Sequence, residues 1–215
     1  MSWSSGKDSA LALHQVLGGG EVEVTGLLTT VNAEFERVAM HGVRRSLLDR
    51  QAAALGLPLH VVDLPWPCSN EVYEQLMGDA VASAVAAGVE AVVFGDLFLE
   101  DVRRYRERML EGSGLRPLFP LWQRPTAELA RELLASGVRA VVTCVDLAQA
   151  PDVLAGRWYD EQFLAELPAG IDRCGENGEF HTVVVDGPDF GAAIPVTVGE
   201  TVERDGFLFT DVIPA

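Results

Sequence analysis

A short polar loop near the start of the chain constrains its fold more than any other feature. The loop reads Ser4-Ser5-Gly6-Lys7-Asp8-Ser9 and is followed directly by an apolar run that begins at Ala10. Small residues let backbone N–H groups approach an anion, the serines add hydroxyl donors, and the following helix adds its partly positive N-terminus. The loop therefore predicts a phosphate site at the start of a nucleotide-binding fold.

Two alternatives limit this interpretation of the loop. The Walker A spacing G-x-x-x-x-G-K-[ST] is absent from the sequence, which disfavours a kinase or GTPase. A serine-rich stretch can also be a plain helix cap, although a cap requires neither Lys7 nor the paired serines. Only residues 1–3 precede the loop, so the strand expected there is very short or the chain lacks its natural start.

The loop resembles the SGGxDS pyrophosphate loop of the N-type ATP pyrophosphatases, in the adenine nucleotide alpha hydrolase superfamily. Ser5 stands where that family most often has its first glycine. The resemblance implies that ATP is cleaved between its α and β phosphates. It also implies that Asp8 binds Mg²⁺, unless this carboxylate only caps the helix, and that the β and γ phosphates are bound by Ser4, Ser5, Gly6, Lys7 and Ser9.

Composition bounds the class of protein. The chain has 215 residues, 48% of them hydrophobic, which predicts one large domain with a small appendage. No apolar run approaches the roughly 18 residues of a membrane span, and no signal pattern opens the chain, so a cytoplasmic protein without a membrane partner is expected. Three separated cysteines indicate neither disulfides nor a zinc site. A formal net charge of −16 disfavours nucleic acid as a partner.

Strands and helices alternate over residues 1–148, which predicts a Rossmann-like, HUP-type α/β domain with a doubly wound parallel sheet of about five strands. Residues 149–215 change character and predict a small, mostly β region on the substrate side. The predicted strands are 21–30, 57–64, 90–94, 140–145, 182–185, 195–202 and 206–212, and the predicted helices after the loop helix are 38–55, 70–87, 126–136 and 158–167.

Loops that follow parallel strands meet at one edge of the sheet, where ligands bind. Leu28, Thr29 and Thr30 end the second predicted strand, where members of the superfamily hold adenine through backbone groups; a plain strand end is the alternative. His41 and Arg44 open the next predicted helix and could face the triphosphate, or His41 could be a capping or surface residue.

The loop after the strand at 90–94 contains further candidates. Gly95 and Asp96 are placed for a Mg²⁺ or substrate contact, and the alternative is a turn aspartate. The mixed charge run at 100–106 is typical of a solvated helix face. Within it, Arg103 or Arg104 is expected to contact a phosphate or a substrate carboxylate.

A second motif lies near the end of the chain and reads Gly175-Glu176-Asn177-Gly178-Glu179-Phe180-His181-Thr182. Its glycines allow a tight turn, and its polar groups are too dense to bury without a ligand; a solvated turn before a hairpin is the alternative. His181 is a candidate general acid or base. Glu176 or Glu179 could bind ammonium and deprotonate it.

Together, the two motifs resemble the diphthine–ammonia ligase family. Asn177 and His181 replace a glycine and a glutamate of the diphthamide-forming members, so the chain resembles a bacterial-type branch with an acceptor other than diphthine. The family implies that ATP adenylates a carboxylate, on a small molecule or modified side chain, and that ammonia then displaces AMP to give an amide. It also implies catalytic roles for Lys7, Asp8 and the polar residues of the second motif.

Two other functions remain open from the sequence. One is a tRNA-modifying enzyme with the same loop, although acidic charge and the absence of paired cysteines disfavour it. The other is a module that senses ATP without turnover, which would not need the second motif. Apolar strands in the tail could pair across a homodimer.

Overall fold

The first three residues form a very short strand inside the main sheet. The structure, a computed structural model, describes residues 1–38 and 41–215. Ser2 bridges Leu28 in parallel, and the N–H of Trp3 donates to the Leu28 carbonyl at 2.8 Å. On the other side, the N–H of Ser2 donates to the Val93 carbonyl, also at 2.8 Å. The short strand expected before the loop is therefore confirmed.

This segment joins two pairs of strands into one sheet. On one side, β1 (Leu27–Asn32) pairs in parallel with β3 (Leu59–Leu64), and β2 (Arg37–Val38) adds a short antiparallel pairing. On the other side, β4 (Ala91–Val93) pairs in parallel with β5 (Arg116–Leu118). The order β3, β1, N-terminal segment, β4, β5 confirms the α/β, HUP-type architecture with about five strands.

The described residues form six α-helices. They are α1 (Lys7–Gly19), α2 (Arg45–Leu55), α3 (Asn70–Ala86), α4 (Glu100–Leu110), α5 (Thr126–Ala135) and α6 (Glu161–Glu166). A short 3₁₀ turn covers Asp152–Leu154. None of the helices in the described part of the chain combines the length and apolar character needed to cross a bilayer.

The helix predicted over 38–55 is wrong in its first turns. Val38 lies in β2, opposite Val31 of β1. Gly42 then adopts a φ of 64°, and Arg44 is extended, so the helix begins only at Arg45. Residues 39 and 40, at the start of the predicted helix, lie outside the described residues.

The second sheet is antiparallel and has the order β7, β6, β9, β8. Its strands are β6 (Arg139–Asp146), β7 (Phe180–Asp186), β8 (Val196–Arg204) and β9 (Phe207–Pro214). The expectation that the strand at 140–145 belongs to the parallel sheet is wrong, because β6 pairs antiparallel with β7 and β9. The division of the chain at residue 148 stays a prediction.

A buried glutamine fastens the second sheet to the first loop. The amide of Gln51 on α2 donates to the carbonyls of Ser5 at 3.0 Å and Val184 at 2.6 Å, and it accepts from the Trp3 indole at 2.9 Å. The N–H of Val184 also donates to the Ser5 carbonyl at 2.9 Å. Since these polar groups are buried and satisfied, the loop and β7 are held in a fixed relation.

Candidate active site

The first loop presents the start of α1 to the carboxyl edge of the parallel sheet. Gly6 is extended just before the helix and provides no capping side chain. The loop is held by its own serines, because the N–H of Ser4 donates to Ser9 Oγ at 3.2 Å and the N–H of Gly6 donates to Ser4 Oγ at 3.3 Å. Such a helix start, framed by small residues, can bind an anion.

Lys7 points from this loop towards the second motif. Its Nζ donates to both carboxylate oxygens of Asp8, at 3.0 and 2.8 Å, and to the carbonyl oxygen of Cys174. The ammonium also lies 5.5 Å from the ring centres of both Tyr159 and Phe180. The Lys7 N–H donates to Thr182 Oγ1 at 3.1 Å. Both ends of Lys7 thus connect the two motifs.

The charges of this pair depend on each other because the Lys7 side chain is buried and the Asp8 side chain is only 26% exposed. Burial alone would lower the pKa of Lys7, but Asp8, Cys174 and Glu176 outweigh it and raise that pKa above its ordinary value. Burial also raises the pKa of the Asp8 carboxyl, although the Lys7 ammonium opposes the change. Removing Asp8 would leave the buried Lys7 ammonium without its ion-pair partner.

Asp172, which the sequence analysis did not single out, organises the second motif. Its Oδ1 accepts from the N–H groups of Cys174 at 2.9 Å and Glu176 at 3.2 Å, and its Oδ2 accepts from Thr126 Oγ1 at 2.6 Å. These bonds aim the Cys174 carbonyl at Lys7. Asp172 could have been identified from the sequence by its position two residues before a Cys-Gly turn.

Glu179 is buried and bonded within the motif itself. Its Oε1 accepts from the Asp172 N–H at 2.9 Å and from the Asn177 side-chain amide at 3.0 Å. Its Oε2 accepts from the Asn177 N–H at 3.0 Å. The carboxylate therefore fixes the shape of the loop, and any role in proton transfer stays a prediction.

Glu176 connects the motif to the loop that follows β4. Its Oε1 accepts from the backbone N–H of Leu97 at 2.7 Å and of Phe98 at 3.4 Å. Burial raises the pKa of the Glu176 carboxyl to about 7, although these two hydrogen bonds oppose the change. A carboxyl group that titrates near neutral pH is suited to proton transfer.

Gly95 brings the same loop against the first one. A Cβ at this position would lie 3.0 Å from the nitrogen of Ser9 and 3.2 Å from the carbonyl oxygen of Asp8. The next residue, Asp96, faces Arg106 of α4 with 3.5 Å between Oδ2 and Nε. Burial raises the pKa of the Asp96 carboxyl, partly opposed by Arg106. Three loops therefore meet at one place.

Two histidines lie side by side next to this meeting point. The ring centres of His41 and His181 are 4.6 Å apart, and His41 Nδ1 lies 3.3 Å from the Thr182 carbonyl. Burial lowers the pKa of His41 to about 4, and burial with His41 and Lys7 nearby lowers the pKa of His181 to about 3. Both rings are therefore neutral at physiological pH.

Other predicted residues have their groups engaged elsewhere. Leu28 uses its backbone groups to pair with the N-terminal segment, and β1 continues past Thr29 and Thr30 to end at Asn32. Arg44 binds Asp211 on β9, with 2.8 Å between Nε and Oδ1.

Two arginines of α4 are also engaged. The Nε of Arg103 donates to Glu107 Oε1 at 2.8 Å, and its guanidinium stacks on aromatic rings. Arg104 is exposed and pairs with Glu100 at 3.0 Å. The phosphate or substrate contacts predicted for both arginines stay predictions.

The site fits Mg²⁺ only together with a phosphate ligand. No group of three or more potential metal ligands among histidine, cysteine, aspartate and glutamate occurs within residues 1–38 and 41–215. Asp96 nevertheless has a buried carboxylate oxygen with no hydrogen-bond partner among the described residues, and Asp8 lies in the adjoining loop. One or two carboxylates with substrate phosphates are the usual protein contribution to a Mg²⁺ site.

Comparison with known proteins finds one family over both parts of the chain. Residues 1–117 match the model of the diphthamide synthase N-terminal domain, and residues 125–210 match that of the C-terminal domain. The diphthine–ammonia ligase of Homo sapiens is 30% identical over 231 residues, covering 97% of this chain and 86% of the human protein. That of Danio rerio is 29% identical, covering 97% and 90%. The chain belongs to the diphthine–ammonia ligase, or diphthamide synthase, family.

Proposed function

We propose that the protein is an ATP-dependent, AMP-forming ligase that converts an acceptor carboxylate into an amide with ammonia. Family membership supports the class of reaction. The observation that carries the proposal is the connection of the first loop to the second motif through Lys7, which bonds to Asp8 and to the Cys174 carbonyl. Phosphate-binding groups and a titratable carboxyl thus share one site.

The start of α1 would hold the nucleotide. Backbone N–H groups and serine hydroxyls of the first loop bind the β and γ phosphates, with the charge of Lys7 close by. Leu28, Thr29 and Thr30 of β1 lie close to the first loop in the same sheet, and they remain the residues predicted to hold adenine. Asp96 and Asp8 would hold Mg²⁺, which neutralises charge on the leaving pyrophosphate.

In the first step, an oxygen of the acceptor carboxylate attacks the α-phosphorus of ATP. The bond from this phosphorus to the bridging oxygen breaks, and pyrophosphate departs with the electron pair into the first loop. The carboxylate is already ionised, so no base is needed, and the protein contributes position and charge neutralisation.

In the second step, the ammonia nitrogen attacks the acyl carbon, and the bond from that carbon to AMP breaks. Glu176 takes a proton from the nitrogen, since its carboxyl titrates at about 7 and lies beside the β4 loop. Glu179 and Asp172 hold Glu176 in place through the motif backbone. His181, which is neutral and belongs to the same motif, is a second candidate for hydrogen bonding to the nitrogen.

Exchange of labelled pyrophosphate into ATP tests the proposal. A pool of candidate carboxylates is added with Mg²⁺ but without ammonia. We expect exchange that requires an acid from the pool and is lost in Lys7→Met. Arg108→Gln, which removes an exposed charge from α4, is the matched control and keeps full exchange. Absence of acid-dependent exchange with every acid would contradict adenylation.

A further inference from the structure

Three buried polar atoms lack hydrogen-bond partners in the described part of the chain, and all three belong to this site. They are Ser5 Oγ in the first loop, Asp96 Oδ2 after β4 and Arg106 Nε on α4. Buried polar atoms are satisfied in most native proteins. Since these unsatisfied atoms lie in or beside the loops of the candidate site, we interpret them as groups that a bound ligand satisfies.

Asp96 and Arg106 face each other but are too far apart to pair well. The distance of 3.5 Å from Nε to Oδ2 exceeds that of a good hydrogen bond between charged groups. The Arg106 guanidinium lies 5.3 Å from the ring centre of Phe94, which limits its movement. Arg106 is thus held in place, and part of its guanidinium stays accessible, since the side chain is 27% exposed.

The loop that contains Asp96, the ion-pair partner of Arg106, contacts both motifs of the site. Gly95, just before Asp96, touches the backbone of the first loop, where phosphate would bind. Leu97, just after it, donates to the Glu176 carboxylate, where ammonia would lose its proton. Asp96, which faces Arg106, therefore lies in the loop segment that joins the proposed phosphate site to Glu176.

Two other arginines of α4 are less suited to this role. Arg103 has its Nε bonded to Glu107, and its guanidinium lies between the rings of Phe119, at 4.9 Å, and Trp122, at 4.7 Å. The side chain of Arg104 is 66% exposed and pairs with Glu100. The Arg106 side chain is 27% exposed, and its Nε, which faces Asp96, makes no hydrogen bond among the described residues.

We propose that Arg106 binds the carboxylate of the acceptor and positions it for attack on ATP. The inference rests on the function proposed above. A guanidinium offers parallel N–H donors that match the two oxygens of a carboxylate. If Asp96 binds Mg²⁺, as the proposed function requires, Arg106 is free to form an ion pair with the acceptor carboxylate. An oxyanion could also come from ATP itself, and the experiments separate these sources.

The first experiment compares half-saturating concentrations in the pyrophosphate exchange assay. In Arg106→Gln, we expect the half-saturating concentration of the acid pool to rise at least tenfold. The half-saturating concentration of ATP should change less than twofold. Arg106→Lys should recover part of the loss, and Arg108→Gln should behave as the wild type. A rise confined to ATP would assign Arg106 to a phosphate and overturn the proposal, and so would unchanged values for both.

The second experiment needs no turnover. Phenylglyoxal modifies accessible arginines, and peptide mass spectrometry reports modification of Arg106 and Arg108 separately in the wild type. With α,β-methylene ATP present, we expect the acid pool to slow modification of Arg106 at least fivefold and to leave Arg108 unaffected. Equal protection by the ATP analogue alone, or no protection, would overturn the proposal. Failure of the proposed function appears instead as absent exchange.

Discussion

The ammonium of Lys7 donates a hydrogen bond to the carbonyl oxygen of Cys174, although 167 residues separate them in the sequence. The Lys7 backbone is also tied to the second motif, through its N–H bond to Thr182 Oγ1 at 3.1 Å. The geometry of the first loop therefore depends on the antiparallel sheet behind it. Substitutions in one motif should therefore alter ligand binding at the other motif.

Replacing Ser5 with glycine is expected to stabilise the protein. Its φ of 68° lies in the left-handed region, and its buried hydroxyl has no partner among the described residues. Ser5→Gly relieves both costs and should raise the free energy of unfolding by about 1 kcal/mol, measured by urea denaturation without ATP.

Ser5→Ala separates these two effects. Alanine removes the hydroxyl and keeps the left-handed strain, so a smaller gain is expected. If both variants unfold at lower urea concentrations than the wild type, the hydroxyl is satisfied in solution and the account of Ser5 is wrong.

Gly95→Ala is expected to disturb ATP binding. The added methyl would lie 3.0 Å from the Ser9 nitrogen and 3.1 Å from the Asp8 carbonyl carbon, and both are backbone atoms that cannot rotate away. The loop must shift, which should raise the half-saturating ATP concentration about tenfold and lower the free energy of unfolding by about 1–3 kcal/mol.

The matched control is Gly78→Ala in α3, where the added methyl meets no atom within 4 Å. It should leave ATP use unchanged and stabilise the helix by up to about 1 kcal/mol. Equal ATP affinities in both variants would contradict a close approach of Gly95 to the first loop.

Glu176→Gln should separate the two half-reactions. The pKa of the Glu176 carboxyl is raised to about 7, so the ionised, proton-accepting form grows as pH increases through neutrality. At a constant concentration of free ammonia, amide formation by the wild type should rise through about pH 7. The variant should lose this rise and at least about a hundredfold of its rate, yet keep pyrophosphate exchange.

The control for this variant is Glu200→Gln, an exposed glutamate on β8, which should match the wild type. Amide synthesis by Glu176→Gln at the wild-type rate would exclude Glu176 as the proton acceptor.

The two histidines predict loss of stability in acid. Their pKa values in the folded state are lowered from 6.5 to about 4 for His41 and about 3 for His181. As pH falls below 6.5, these histidines become protonated in the unfolded chain but stay neutral in the folded chain. The free energy of unfolding therefore decreases as the pH is lowered. Each histidine should account for a loss of about 2 kcal/mol between about pH 7.5 and about pH 5, measured by urea denaturation as the difference in pH dependence between the wild type and a variant that lacks that histidine.

His181→Gln should reduce this dependence on pH, whereas His60→Gln, which changes an exposed histidine on β3, should not. The same loss of stability in all three proteins would place the responsible protons elsewhere.

Much of the fold could be predicted from local patterns. The loop at Ser4–Ser9 and the alternation of strands and helices indicated the parallel sheet, and the tail was correctly expected to be mostly β. The β6 strand was misplaced because it is buried on both faces, a pattern that parallel and central antiparallel strands share. The β2 hairpin was missed because Val38 gains its partner, Val31, only across a turn.

The two motifs that meet in the candidate site could be identified from the sequence because each is compact, whereas contacts between residues distant in sequence could not. Asp172 acts through bonds to the backbone of the motif and to Thr126, 46 residues away. Arg106 could not be separated from Arg103 and Arg104 by residue type, since only packing shows which guanidinium faces Asp96. Tyr159 is recognised only by its place beside the Lys7 ammonium.

The most direct test of the account is to identify the nucleotide products. The protein is incubated with ATP, Mg²⁺, ammonium and the pool of carboxylates, and the products are separated by ion-exchange chromatography. The account predicts AMP and pyrophosphate, formed only when an acid is present and absent in Lys7→Met. ADP with phosphate, or ATP that binds but is never cleaved, would contradict it.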